Sequence, residues 1–115
     1  MTGELDQIRK GTTTVAILKL LADEAEPLHG YEIIRRLEKR SQGYFAFKEG
    51  LIYPTLHRLE QEGLLESRWL GESGTRRRKV YVVTEQGRRQ LEAELRQWET
   101  FSQQINHLLG LERAR

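Results

Sequence analysis

Arg76, Arg77, Arg78 and Lys79 form the densest concentration of charge in the chain, with Arg68 shortly before them and only Glu66 and Glu72 in partial offset. A charge run is ordinarily a solvated face, but beside a second anion-binding element it becomes a source of affinity. Such an element is present. The stretch KEGLIYPTLHRLEQEGLL, residues 48–65, repeats Leu51, Ile52, Leu56 and Leu59 at three- and four-residue steps, which predicts an amphipathic helix. The early part of its other face carries Lys48, Tyr53, Thr55, His57 and Arg58, and Gly50 would let the helix start approach a phosphate closely. A third candidate is Trp98 with Phe101, whose plain reading is a helix–helix core and whose functional one is a wall for a flat apolar ligand.

Other chemistries find no support in the pattern. His29, His57 and His107 sit in three separate segments without ligand spacing, so no metal site is expected. Carboxylates fall in mixed-charge helical faces such as RQLEAELRQWE, where pairing at i, i+4 explains them. No glycine-rich phosphate loop follows a strand and no Ser, His and Asp set is suggested. The expectation is a protein that is not an enzyme and uses no cofactor.

The elements that must position these residues follow in order. Leu5 to Ala25 reads as one long helix or two short ones broken near Gly11 and the threonines Thr12, Thr13 and Thr14. After the turn EAEPLHG a second helix is predicted from about Gly30 to Arg40, with Tyr31, Ile33, Ile34 and Leu37 buried. The aromatics of SQGYFAF lie too close together for a solvated loop, so some should pack under the third helix, which closes at Gly63. LLESRWL and RKVYVVT then predict a two-stranded hairpin. Tyr81 and Val83 are expected to face inward and Val80 outward, with the hairpin held to the helices through Trp69 and Tyr81. Thr84 should cap a long last helix, along which Leu91, Leu95, Trp98, Ser102, Ile105 and Leu109 step by fours and threes. Such a seam needs covering, and the simplest cover is a second copy of the chain.

Composition limits the choices further. With 115 residues, 37% hydrophobic and 31% charged, the chain reads as one globular unit with a highly charged surface. The formal charge of +2 does not itself imply nucleic acid; segregation of the cations would. Absence of cysteine removes disulfides and thiol chemistry and fits a reducing cytoplasm. The start MTGELDQIRKG lacks an apolar run and VAILKLLA is broken by Lys19, so neither export nor a membrane span is expected.

Three helices, a hairpin and a long helix are the order of a winged helix-turn-helix domain, here residues 1–84, followed by a dimerisation helix, residues 85–115. The fold class expected is mainly α with a small β-hairpin. From Thr14 to Leu109 the chain resembles the PadR family of bacterial transcriptional regulators. The likeness is carried by HGYEIIRRLE at 29–38, GLIYPTLHRLEQEGLL at 50–65, the Trp69 strand, RRRKVYVVTEQGRRQL at 76–91 and the single closing helix. Val80 stands where the family has the first of two tyrosines. Length and lone last helix resemble the small subfamily, in which two such helices build the dimer. The resemblance implies a homodimer on double-stranded, pseudo-palindromic DNA, most simply a ligand-responsive repressor. It also implies that aromatic or planar effectors can lie at the dimer interface, by Trp98 and Phe101. The expected DNA-binding set is Lys48, Gly50, Tyr53, Thr55, His57, Arg58, Arg68, Arg76, Arg77, Arg78 and Lys79. Leu91, Leu95, Trp98, Ile105 and Leu109 form the expected dimerisation set. The alternative from another class is a winged-helix protein-interaction module without specific DNA binding.

Overall fold

In the computed structural model of the protein, residues 2–71 and 77–112 are described, with the side chains of the first helix described from residue 11 onward. Arg76 and Glu72 therefore lie outside the described residues. The elements run α1 (Thr2–Asp23), β1 (Leu28–His29), α2 (Gly30–Arg40), α3 (Glu49–Gln61), β2 (Leu65–Leu70), β3 (Arg78–Val83) and α4 (Glu85–Leu109).

Helix α1 is continuous through Gly11 and the three threonines, so the break that those residues allowed does not occur. Thr13 and Thr14 are buried against neighbouring elements, and tertiary packing overrides their weak helix preference. Helix α2 has the predicted bounds. His29 caps it: Nδ1 accepts from the Glu32 N–H, and the Glu32 carboxylate accepts from the His29 N–H. Ile33, Ile34 and Leu37 are buried as expected. Tyr31 is not; it is 55% exposed, with the Arg35 guanidinium over its ring at 5.8 Å.

Phe47 enters the core from the α2–α3 connection, while Tyr44 and Phe45 stay outside it. Helix α3 buries Ile52, Leu56 and Leu59 completely. It ends in a Schellman turn: Leu64 N–H donates to the Leu59 carbonyl at 2.9 Å, and Gly63 takes φ +79°.

The hairpin is part of a three-stranded antiparallel sheet of order β1-β3-β2, because the supposed turn before α2 supplies a short strand. Leu28 pairs with Tyr81 and His29 with Val80, which makes β3 the central strand. This changes the expected facing. Tyr81 is in the core with Val83 packed against it, but Val80 is buried as well, flanked by its cross-strand neighbours His29 and Arg68. Trp69 does not hold the sheet to the helices; it is 57% exposed and lies under the Arg77 guanidinium, 5.4 Å from the ring centroid.

Thr84 caps α4 as predicted, accepting from Gly87 N–H at 2.9 Å, and its hydroxyl donates to the Gly63 carbonyl at 2.7 Å. The root of α4 belongs to the core. Leu91, expected on the dimer seam, is buried among the chain's own apolar residues instead. Beyond it no α4 residue is buried, and Leu95, Phe101, Leu108 and Leu109 are exposed. No described helix is long and apolar enough to cross a membrane.

Candidate nucleic-acid interface

The start of α3 is exposed. Lys48 occupies the N-cap in extended conformation without a side-chain cap bond, and Gly50 faces open space. Pro54 cannot donate to the carbonyl of Gly50, which loses its helical partner at an exposed site. Tyr53 leaves α3 toward the start of α2 and lies against Gly30 so closely that a Cβ there would be 2.4 Å from the ring Cε1. His57 follows one turn later, also exposed.

Two members of the expected set turn elsewhere. Thr55 faces inward, and its hydroxyl donates to the Leu51 carbonyl at 2.7 Å, the back-bonding available to a threonine with no water to meet. Arg58 reaches the opposite side of α3. Its Nη2 donates to Thr14 Oγ1 on α1 at 2.8 Å, and its Nη1 to both Glu62 oxygens at 3.2 Å. There it joins Thr14, Val15, Glu94, Trp98 and Phe101 around a cavity of about 580 Å³, in which the two rings stand edge to face at 5.8 Å.

On the sheet, Arg68 and Arg77 are exposed, the latter stacked on Trp69. Arg78 Nη1 stands 3.1 Å from His29 Nε2. Lys79 is different: it pairs with Glu60 at 3.2 Å and lies over the Tyr81 ring, so its charge is already answered. Glu60 also accepts from the Ser67 hydroxyl, and that hydrogen bond, with Lys79 adding to it, holds its carboxyl below the usual glutamate range. Burial pushes the Tyr81 phenol up.

The structure thus brings Tyr53, Arg78 and Lys79 to one concavity of about 470 Å³, together with His29, Gly30 and Tyr31. Those last three were absent from the sequence-based set. The only sequence signal for them was their position, a His-Gly pair directly before a helix. Among the described residues no group of His, Asp and Glu could hold a metal ion.

A family model described as the transcriptional regulator PadR-like family matches residues 17–93, most of the chain and every element from the core of α1 to the root of α4. The chain belongs to the PadR-like family of transcriptional regulators. This PadR-like chain is 35% identical to the transcriptional regulator YqjI of Escherichia coli over 83% of its length, but spans only 43% of that relative. Among solved structures it is similar to a PadR-like transcriptional regulator of Bacillus cereus, with a TM-score of 0.74, 34% identity and coverage of 90% and 96% of the two chains. It is also similar to Bacillus subtilis PadR in complex with operator DNA, with a TM-score of 0.62 and 29% identity over 71% of this chain and 45% of that one. The PadR-like match stops short of Trp98 and Phe101, so the cavity wall on α4 lies outside the matched segment.

Proposed function

We propose that this chain binds duplex DNA as a homodimer and represses transcription from a pseudo-palindromic operator, releasing it when a flat aromatic effector enters the Trp98–Phe101 cavity. The observation that carries the reading is the exposed, open start of α3 together with exposed arginines of the hairpin, Arg68 on β2, Arg77 just before β3 and Arg78 at its start, which pair with no carboxylate among the described residues. Lys48, Gly50, Tyr53 and His57 supply the groove-facing part; Arg68, Arg77 and Arg78 supply phosphate contacts. A similar chain in the Bacillus subtilis structure is bound to operator DNA, which supports the same use here. Two copies joined through the outer part of α4 would present two such faces, with half-sites about one helical turn apart.

A gel-shift series with the promoter fragment upstream of the chain's own gene, run across salt, tests this. The expected result is a specific complex that a mixed-sequence competitor does not displace. Arg77→Ala should weaken binding to all sequences alike and lower the salt slope by about 0.9 log unit for the phosphate lost. Weak, sequence-blind binding by the unaltered chain would favour the protein-interaction module instead.

A further inference from the structure

Two roles of His29 in the fold fix its proton. It ends β1 opposite Val80 and caps α2, where Nδ1 accepts from the Glu32 N–H at 3.2 Å. A ring nitrogen that accepts carries no hydrogen, so the imidazole N–H is on Nε2. That atom faces Arg78 Nη1 at 3.1 Å, and a guanidinium nitrogen can only donate. Two donors therefore oppose each other with no acceptor between them. Glu32 Oε1 lies 3.4 Å from Nε2, long for a hydrogen bond, and already accepts from the His29 backbone N–H at 3.2 Å. Among the described residues Arg78 pairs with no carboxylate, whereas its neighbour Lys79 pairs with Glu60. The opposed donors open into the concavity bounded by Tyr31 and Tyr53.

We propose that His29 and Arg78 form an oxyanion subsite that takes one oxygen of a tetrahedral phosphate. With the Arg78 guanidinium turned away from Nε2, one oxygen would accept from both N–H groups and replace the donor-donor opposition with two hydrogen bonds, one of them charge-assisted. Tyr31 and Tyr53 border the place where the rest of the group would lie. The subsite sits between the start of α2, the side of α3 and the tip end of β3, so a duplex lying across α3 and β3 passes it. The assignment of that phosphate to a DNA backbone rests on the DNA-binding reading above; the oxyanion chemistry does not.

The test follows the His29 ring nitrogens by NMR in the ¹⁵N-labelled full chain, titrated separately with inorganic phosphate and with a short mixed-sequence duplex. Duplex affinity across salt is measured in parallel for Arg78→Gln and for His29→Asn, an exchange that keeps a good N-cap while removing the ring donor. The expected result is a shift of Nε2 with duplex that Arg78→Gln abolishes. Arg78→Gln should also weaken duplex binding roughly tenfold and lower the salt slope by about 0.9 log unit. His29→Asn should weaken binding several-fold with an unchanged slope and an unchanged melting temperature. A shift with inorganic phosphate as well would mean that the subsite also takes free phosphate. If the duplex binds while His29 stays unmoved and Arg78→Gln keeps the original slope, the subsite is overturned and DNA binding stands. If the duplex does not bind at low salt, the DNA-binding reading fails, and the phosphate titration alone decides the subsite: a shift upholds it, none overturns it.

Discussion

One carboxylate, Glu60, joins three elements: it belongs to α3, accepts from Ser67 on β2 and pairs with Lys79 on β3. Because these partners lower its folded pKa, the stability it contributes is complete above the ordinary glutamate value and is lost as pH falls through the folded one. Glu60→Gln should therefore cost about 0.5–1 kcal/mol at neutral pH, a figure kept small because the pair is partly exposed. In urea melts the gap from the unaltered chain should close as pH drops below about 4.3. A gap of constant size would mean that lost packing, not ionisation, is responsible. Arg58 shows where sequence fails at this scale. Its i, i+4 partner Glu62 is visible in the spacing, but Thr14, distant in the chain, is visible only once α1 packs on α3. Arg58→Ala is expected to lower stability by about 1 kcal/mol and to leave the salt slope of DNA binding unchanged, as measured by titration across salt. A shallower slope would restore Arg58 to the phosphate contacts.

Elements were legible in the sequence where a local pattern and a local cap agree. Helix α2 has both an apolar repeat and a capping box, and its bounds are those predicted; Gly63 and Thr84 likewise mark the end of α3 and the start of α4. Strand β1 was not legible, because two residues carry no period, and its addition reassigned Val80 by giving β3 a neighbour on each side. Nor could the sequence show why Gly87 stands in the first turns of a helix. A Cβ there would be 2.2 Å from the Leu64 carbonyl oxygen and 2.7 Å from Val83 Cγ2, so the missing side chain is what lets α4 dock on the turn after α3. Alanine at a free helical site gains about 1 kcal/mol over glycine. Gly87→Ala should instead destabilise by about 1–3 kcal/mol through overpacking, seen as a lower urea midpoint. A higher midpoint would show that α4 is not held at this contact.

At the scale of the molecule, the radius of gyration is 16.2 Å against the roughly 13 Å of a compact chain of this length, and the longest extent is 59 Å. Helix α4 contributes to the excess: it is about 37 Å long, and its buried residues, Gly87 and Leu91, lie near its start. The heptad-like steps of its outer part were readable because a period is a property of sequence; which chain covers it is not, and so Leu91 was assigned to a partner when its own core takes it. At the far end of the helix Leu108 is 77% and Leu109 61% exposed. Because neither side chain is buried, Leu108→Asp with Leu109→Asp should leave the fold intact by circular dichroism. If α4 is the surface joining two copies, the variant should sediment at half the mass of the unaltered chain. Each copy would then bind a half-site alone, and affinity for a two-half-site duplex should fall by roughly 10² or more, since the second contact no longer benefits from the tether. An unaltered chain that already sediments as a monomer, yet binds such a duplex tightly, would mean that DNA itself brings the copies together. The covered seam would then form only on the operator.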